Sequence, residues 1–447
     1  MRTVKELTRK MKDSGVEWIG EIPEDWEVIR LKNMIGFYSG YAFKENELSG
    51  SGDKFVLRIG NIQNNKLSIN SDTLKTNLNE TTLKNQKVLN EDILIAMSGA
   101  TVGKIVYIEQ TVKRLYINQR VGIIRSPLNH LLKYYFLING FREYIFLNSQ
   151  GSAQPNISET EILNYMISLP PKSQQKSIAD FLDKKTQEID NIISKTKKAI
   201  EEYKRYKQSL ITETVTKGLD ENVEMKDSGI EWIGEIPEHW DTIKFKDLFK
   251  FGSGLTITKS DLLDEGIKVI NYGEIHSKYK FDLDINRDEL KCVDKSYLEN
   301  RKNALINKGD FVFCDTSEDR EGSGNCIVLR ENNDELIFAG SHTVTARLIR
   351  NENPIYIRYM IMASSVKEQI SSIVVGIKVY SITQAILKTI IGVLPPLKEQ
   401  EEIANYLDKK CSQIDNIIST KEKLLTEMEA YKKSLIYETV TGKREVE

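Results

Sequence analysis

Two long segments of the chain carry an unbroken helical pattern of apolar residues. Between Ser173 and Glu213 there is no proline or glycine, and apolar residues recur at alternating steps of three and four, the spacing of a heptad seam. The second segment repeats the pattern at an offset of 225 residues. At 1.5 Å per residue, each segment predicts a helix of about 42 residues and ~63 Å. The two seams consist of Ile178, Leu182, Ile189, Ile192, Ala199, Tyr203, Tyr206 and Leu210, and of Ile403, Leu407, Ile414, Ile417, Leu424, Met428, Tyr431 and Leu435.

Further apolar residues lie beside each seam and widen its apolar stripe. A two-stranded coiled coil needs only the narrow seam, so the wider stripe predicts that another element packs there. That element is either a recognition domain of this chain or a partner subunit. The flanking positions, which are the candidate partner-binding residues, are Ile193, Ile200, Ile418 and Leu425.

Short runs of β-forming residues occupy the regions before each long helix. They are DILIAMSG, KIVYI and RVGIIR in the first region, and FVFCDTS, CIVLR and TVTARLIR in the second. Helical patterns are fewer: NHLLKYYFLINGFREYIFLNS in the first region and IYIRYMIMASSVKEQISSI in the second. Both regions end in polar loops, GSAQPNIS at 151–158 and GIKVYSIT at 376–383. The mixture predicts the α+β class, with two mixed α/β domains, mainly antiparallel, each followed by one long helix.

The chain is an internal duplication of the form A–B–A′–B′. Residues 12–26, KDSGVEWIGEIPEDW, match residues 226–240, KDSGIEWIGEIPEHW, at thirteen of fifteen positions. The repeat predicts a first domain at 1–168 with its helix at 169–218, and a second domain at 225–393 with its helix at 394–442. Matched blocks of this kind are scaffold, and the unmatched blocks between them carry two versions of one task.

Composition and charge narrow the class of protein. With 40% hydrophobic and 29% charged residues, the 447-residue chain is typical of soluble globular proteins. No apolar run reaches the ~20 residues of a membrane span, and the N-terminal segment lacks the apolar core of a secretory signal, so we expect a cytoplasmic protein. The net charge is −2. Residues 27–168 nevertheless carry 16 Lys and Arg against 12 Asp and Glu, a bias that fits phosphate contact, whereas residues 241–393 show none.

A search for catalytic residues finds no coherent site. MSGATVGKI at 97–105 resembles a phosphate-binding loop, but serine replaces its first glycine and isoleucine replaces the hydroxyl that would bind magnesium. The segment NPIY at 353–356 lacks the second proline of the amino-methyltransferase motif, so a turn is the better interpretation. The four histidines and four cysteines have no metal-ligand or triad spacing. We therefore predict a non-enzymatic chain with free thiols, no metal site and no cofactor of its own.

The repeated blocks carry a family resemblance. The A–B–A′–B′ order, the two KDSG-x-EWIGEIPE-x-W blocks and the two LPP blocks that open long helices resemble the specificity subunit of type I restriction–modification systems, over nearly the whole chain. The resemblance implies that each variable domain reads one half of a split target in double-stranded DNA. It implies that the two helices pair as an antiparallel coiled coil with pseudo-two-fold symmetry. It also implies partners: two methyltransferase subunits that bind S-adenosylmethionine, and a restriction subunit that uses ATP and magnesium.

Base readout favours Arg, Lys, Asn and Gln on groove-facing loops, with help from hydroxyl and aromatic side chains. The loops that differ between the two domains supply the candidates. In the first domain the candidate DNA-binding residues are Tyr41, Lys44, Arg58, Asn61, Gln63, Ser98, Thr101, Lys104, Asn118, Gln119 and Arg120. In the second they are Thr256, Lys259, Asn271, Tyr272, His276, Thr316, Ser317, Arg320 and His342. The four tryptophans belong to the repeated blocks and are predicted to pack in the scaffold.

Three other functions stay open at this point. A stand-alone DNA-binding regulator with two recognition domains would have no use for the wide apolar stripe. A tether for two protein ligands predicts no affinity for DNA. A fused enzyme would require the cofactor and catalytic motifs that the sequence lacks.

Overall fold

The computed structural model describes residues 9–63, 65–111, 113–149, 154–279, 281–320, 322–374 and 380–446. The chain divides into two compact units. Unit 1 comprises Met1–Lys197 with Lys423–Glu447, and unit 2 comprises Lys198–Glu422. Each unit therefore contains one mixed domain and portions of both long helices. Within the two polar loops that end the domains, residues 151–153 and 376–379 lie outside the described residues.

The two long helices form where the heptad pattern predicts them. They run Lys172–Lys217 and Leu397–Val440, with 46 and 44 residues. In unit 1, Lys432 Nζ lies 2.6 Å from Asp190 Oδ2, and Lys197 Nζ lies 3.6 Å from Glu429 Oε1. Residue numbers rise along one helix as they fall along the other, so the two segments in unit 1 are antiparallel neighbours.

Unit 2 repeats this arrangement within itself. Lys207 Nζ lies 2.6 Å from Asp415 Oδ2, which is the same Lys–Asp pair at the offset of 225. Lys421 Nζ lies 5.8 Å from the ring centroid of Tyr203, so these segments also run in opposite directions. A continuous coiled coil along the whole length of the helices stays a prediction.

Burial along the helices departs from the predicted heptad seam. Four predicted seam positions are exposed to solvent: Ile192 (45%), Tyr206 (57%), Ile417 (38%) and Tyr431 (45%). The structure instead buries three residues that are not among the predicted seam positions: Thr196, Ile200 and Lys207. A strict heptad drifts by ~20° per repeat on an α-helix, and each helix here packs against a mixed domain as well as against its neighbour. The seam prediction was therefore wrong at these four positions.

The first mixed domain is built around an antiparallel sheet of four strands, in the order Ile105–Tyr107, Ile93–Ala96, Val121–Arg125 and Gly36–Ser39. Ile93 and Ile95 face one apolar cluster and Leu94 faces another, so this strand is apolar throughout because both of its faces are buried. The other strands are Met11–Asp13, Glu21–Pro23, Glu27–Arg30, Lys54–Leu57, Ile62–Gln63, Lys66–Leu67, Lys75–Thr76, Leu115–Ile117 and Met166–Leu169. The short α-helices are Asn129–Tyr135, Asn139–Asn148 and Glu159–Asn164.

The second mixed domain has a five-stranded sheet in the order Phe249–Ser253, Thr343–Leu348, Phe311–Cys314, Cys326–Glu331 and Asp282–Asp284. Phe311 and Phe313 face one cluster and Val312 faces another, as in the first domain. The other strands are Met225–Asp227, Glu235–Pro237, Asp241–Lys244, Ile267–Ile270, Lys291–Val293, Leu305–Ile306, Thr316–Ser317, Ile337–Ala339, Tyr380–Ser381 and Ile391–Leu394. The short α-helices are Phe245–Leu248, Tyr272–Ser277, Tyr297–Asn300, Pro354–Met362, Ser364–Ile373 and Gln384–Thr389. Most strand pairs in both domains are antiparallel, and the α+β prediction is confirmed.

The repeated tryptophan blocks attach each domain to the start of its helix. Trp26 Nε1 donates to Gln174 Oε1 at 3.2 Å, and Trp240 Nε1 donates to Glu399 Oε2 at 2.9 Å. Both indoles are fully buried, which confirms their scaffold role. Trp232 is instead 42% exposed, so the scaffold prediction was wrong for that residue.

Candidate functional site

At one edge of the first mixed domain, three loops that are distant in sequence lie side by side. They meet at Met97, whose backbone N–H donates to Arg120 O and whose carbonyl accepts from Ile157 N, both at 2.9 Å. Tyr41 adjoins them, since its carbonyl accepts from Gln119 N at 2.9 Å. We call residues 97–101, 118–120 and 154–157, together with Tyr41, the first rim.

The first rim brings together six predicted DNA-binding residues: Tyr41, Ser98, Thr101, Asn118, Gln119 and Arg120. Gln119 and Arg120 are exposed, whereas Ser98 is buried. Arg120 Nη1 donates to Asn156 Oδ1 at 3.3 Å, which ties two of the loops together through side chains. Lys104 is exposed and follows directly, with its N–H donating to Thr101 O at 2.9 Å.

Arg58, Asn61 and Gln63 lie together on a neighbouring turn. The Asn61 amide accepts from Arg58 N and donates to a backbone carbonyl, both at 2.8 Å. The Gln63 amide donates to another backbone carbonyl at 2.8 Å. These two amides therefore hold the turn, whereas the side chains of Arg58 and Lys44 are exposed.

The second mixed domain builds the same kind of edge from different residues. The segments meet at Asp315, whose N–H donates to His342 O at 3.1 Å and whose carbonyl accepts from Ile382 N at 2.7 Å. Ile157 and Ile382 are 225 residues apart, the offset of the helical repeat. We call residues 315–320, 322–325, 340–343 and 380–382 the second rim.

All nine residues predicted to bind DNA in the second domain lie on or near this rim. Thr316, Ser317, Arg320 and His342 belong to it. The Tyr272 ring lies 5.2 Å from the His342 ring, centroid to centroid, on the helix that also carries His276, and Asn271 caps that helix. The other two predicted residues are Thr256 and Lys259, on the segment whose residue Ile257 donates its N–H to Ser341 Oγ at 2.8 Å.

A chain of hydrogen bonds fixes His276 beneath the second rim. Lys367 Nζ donates to Asn325 Oδ1 at 2.8 Å, Asn325 Nδ2 lies 3.2 Å from His276 Nδ1, and His276 Nε2 lies 2.9 Å from Thr316 O. A carbonyl only accepts, so Nε2 carries the hydrogen and Nδ1 accepts. Burial lowers the pKa of Lys367 below its ordinary 10.5. Both nitrogens of His276 are therefore used within the protein, one by Thr316 and one by Asn325, so neither is free to contact a DNA base.

Arg320 is used in a similar way. Its Nε and Nη2 donate to Ser371 O at 3.0 and 2.6 Å, so much of its guanidinium holds the loop against the helix Ser364–Ile373.

Sequence reasoning did not single out several residues of the two rims, among them Asn156, Glu318, Asp319, Asn325 and Ser381. The one signal that pointed to two of them was the pair of polar loops at 151–158 and 376–383, which end both domains in equivalent places.

Among the predicted partner-binding residues, Ile193 is half-buried against the core of unit 1 and Ile200 is buried. Ile418 and Leu425 are half-buried. Large apolar side chains are more exposed at the four predicted seam positions that lie in solvent, which we call the displaced seam positions. Unit 1 carries Ile192 and Tyr431, and unit 2 carries Tyr206 and Ile417.

The NPIY segment and the cysteines have structural surroundings. Asn353 Oδ1 accepts from Ile355 N at 2.9 Å and from Tyr356 N at 3.0 Å, so the NPIY segment is a helix N-cap. All four cysteines are free and buried, and burial raises the pKa of Cys326 to about 12. Within the described ranges, no group of His, Cys, Asp and Glu side chains could hold a metal ion. Over the same ranges no helix has the length and apolar character needed to cross a membrane.

Similarity to known proteins extends along nearly all of the chain. The specificity subunit of the type I restriction enzyme MjaVIII of Methanocaldococcus jannaschii is 25% identical over 450 residues, covering 94% of this chain and 93% of the relative. The EcoKI specificity subunit of Escherichia coli is 23% identical over 417 residues, covering 89% and 84%.

Solved structures show the same fold. A chain solved in work on complex assembly and conformational transition of the type I R-M system superposes with a TM-score of 0.70 at 14% identity, covering 95% of this chain and 99% of that one. The HsdS subunit from Thermoanaerobacter tengcongensis gives a TM-score of 0.52 at 14% identity, covering 95% and 98%. The family model for the type I restriction modification DNA specificity domain matches residues 23–202 and again residues 237–430. The chain therefore belongs to the type I restriction–modification specificity family, whose members are non-catalytic DNA-recognition subunits.

Proposed function

We propose that this chain reads a bipartite sequence in double-stranded DNA, with one half-site contacted by each rim. The observation that carries the proposal is the equivalence of Met97 and Asp315, which make the same pattern of backbone hydrogen bonds in the two domains. The side chains displayed around them differ. Equivalent positions with different side chains fit one task performed on two different sequences, because base edges are distinguished by their patterns of donors and acceptors.

Exposed cations support DNA contact at the first rim. Arg120 lies on it, Lys104 follows it directly, and Lys44 and Arg58 are exposed on the loops beside it. Lys and Arg side chains bind phosphates and position a protein on the duplex, and Arg also reads guanine in the major groove. The first domain would thus contact the phosphate backbone of the DNA and also read its bases.

The exposed apolar side chains on the long helices support docking of methyltransferase subunits. Ile192 and Tyr431 are exposed in unit 1, and their counterparts at the offset of 225, Ile417 and Tyr206, are exposed in unit 2. Apolar residues repeated at equivalent positions suit two copies of one partner, since a repeated surface binds repeated ligands. The chain would hold two methyltransferase subunits in this way and a restriction subunit through them.

The chemistry of the complex would lie in these partners. S-adenosylmethionine would bind to the methyltransferase subunits, and ATP and magnesium to the restriction subunit, with no cofactor in this chain. A complex acting on the host's own DNA would work in the cytoplasm.

Methylome sequencing tests the proposal. The full chain is co-expressed with the methyltransferase encoded beside it, in a host without that system. We expect one methylated motif made of two short half-sites with an unspecified spacer of fixed length. A continuous motif, or DNA binding by this chain alone without any methylation, would contradict the proposal.

A further inference from the structure

Each rim includes most of one loop whose length and charge differ between the two domains. Loop 1, residues 97–103, has the sequence MSGATVG and carries no charge. Loop 2, residues 315–324, has the sequence DTSEDREGSG and carries four acidic residues and one arginine. Loop 2 is therefore three residues longer and brings strong negative charge to an edge that would face DNA.

The two loops are nonetheless held at equivalent points. Each begins at the residue on which the rim segments meet. Each ends on a glycine with left-handed backbone, with φ of +76° at Gly103 and +72° at Gly324. A Cβ on these glycines would lie 2.8 Å from Ile145 Cγ2 and 2.7 Å from Ile370 Cδ1, and the two isoleucines are 225 residues apart. The scaffold thus fixes both ends, and the difference lies in what each loop displays.

Residues 316–319 and 322 of loop 2 form one wall of a cavity of about 660 Å³, and the helix Tyr272–Ser277 contributes to the other. Asp319 is held in place there, because its N–H donates to Ser317 Oγ at 3.3 Å and its Oδ1 accepts from Gly322 N. Glu318 also lines the cavity and is exposed. Two carboxylates therefore face a space that is open to a ligand.

The nitrogen donors of the two cationic side-chain types in and beside this cavity, His276 and Arg320, are largely occupied. Both ring nitrogens of His276 are used within the protein, and two nitrogens of Arg320 bind a backbone carbonyl. The cavity consequently offers two charged acceptors, the carboxylates of Glu318 and Asp319, beside the hydroxyls of Tyr272, Thr316 and Ser317. The two carboxylates repel phosphates and the oxygen atoms of guanine and thymine.

We propose that this cavity selects a cytosine in the second half-site through Glu318 and Asp319; the inference rests on the proposed function. Cytosine presents only its N4 amino group as a polar group in the major groove, whereas adenine places the N7 acceptor beside its amino group. Two neighbouring carboxylates suit the first pattern and clash with the second. The negative charge of the two carboxylates, which would repel phosphates, is thereby matched to the N4 amino group of cytosine.

The test uses the complete complex with its methyltransferase. Exchange of residues 241–393 first identifies the half-site read by the second domain. Glu318→Gln and Asp319→Asn are then compared with wild type by methylome sequencing and by methylation rates on duplexes in which the C·G pair is replaced. We expect the preference for C·G at one position of that half-site to fall roughly tenfold in at least one variant, with the other half-site unchanged.

Glu299→Gln is the matched control, because it removes one exposed carboxylate from the same domain outside the cavity, and it should leave the motif intact. A second half-site without any C·G pair, or unchanged preference in both variants, would overturn the inference while leaving the proposed function in place. Absence of any bipartite motif in the wild type would instead overturn the proposed function itself.

Discussion

Tyr359 and Asp408 join the second mixed domain to its long helix through a hydrogen bond of 2.7 Å from the tyrosine hydroxyl to Asp408 Oδ1. The tyrosine lies on the helix Pro354–Met362 and the aspartate on the second long helix. Unit 1 contains the same bond at an offset of 225, where Tyr134 donates its hydroxyl to Asp183. The repeat has therefore kept both the two rims and the hydrogen bond that attaches each domain to its helix.

Removing these hydroxyls should destabilise the chain without changing its surface. Tyr359→Phe and Tyr134→Phe each delete one donor to a carboxylate, and hydrogen bonds to charged groups contribute about 1.5–3 kcal/mol. We expect each variant to lower the free energy of unfolding by an amount in that range, measured by urea denaturation of the full chain. Tyr206→Phe, at an exposed hydroxyl, is the control and should change little. Equal stability of all three variants would show that the bonds do not hold the domains.

Asp183 predicts a dependence of stability on acid pH. Burial raises its pKa, but hydrogen bonds from Lys133 and Tyr134 outweigh burial, and the pKa lies below the ordinary 3.8. A depressed folded-state pKa means that the carboxylate stabilises the fold above the unfolded value and that this contribution is lost as pH falls through the folded value. We expect Asp183→Asn to cost stability at pH 7 and to weaken the fall in stability below about pH 4. Parallel stability–pH curves for variant and wild type would contradict this.

The sequence predicted the long helices, the duplication and the α+β class because each rests on a local pattern repeated many times. It failed on which helix positions are buried. Ile192 and Ile417 fit the heptad as well as Ile189 and Ile414 do, but burial there depends on the mixed domain that packs against each helix. That packing joins residues distant in sequence, and no local spacing reports it.

The displaced seam positions predict where the methyltransferase binds. Aspartate at Ile192 and Ile417 places charge on side chains that are already exposed, so the double variant should fold normally. We expect it to lose most of the methyltransferase that co-purifies with the full chain, because apolar patches of this kind lose affinity when charged. Aspartate at the half-buried Ile193 would instead disturb the core of unit 1.

The matched control for docking is Leu336→Asp, which charges an exposed leucine in the second mixed domain. That variant should bind the methyltransferase as wild type does. Normal co-purification by the Ile192→Asp, Ile417→Asp double variant, with unchanged unfolding, would remove these positions from the proposed dock.

The length of the helices should set the spacer between half-sites. Seven residues inserted after Lys197 and another seven after Glu422 keep the heptad register and lengthen both helices at equivalent points. Seven residues add about 10 Å, and base pairs rise by ~3.4 Å, so the spacer should lengthen by up to about three base pairs. Methylome sequencing reads the spacer directly, and an unchanged spacer with full activity would show that another element sets the distance.

The sequence predicted which loops lie together at the candidate site better than it predicted which side chains of those loops are exposed. Gln119, Arg120 and Tyr272 are exposed at or beside the rims as expected. Hydrogen bonds to the protein occupy His276 and much of Arg320, and these partners depend on tertiary contacts that residue type alone does not reveal. Residue type pointed to the hydroxyls and the arginine of loop 2, whereas the role of its carboxylates depends on the cavity that the fold creates.

Under the proposed function, each mixed domain reads its own half of the DNA target. Replacing residues 27–168 with the corresponding block of a related subunit, which keeps both long helices and the second domain, tests it most directly. Methylome sequencing of a host carrying the exchanged chain and its methyltransferase should show one half-site changed, with the other half-site and the spacer retained. A change in both half-sites, or in neither, would contradict the account.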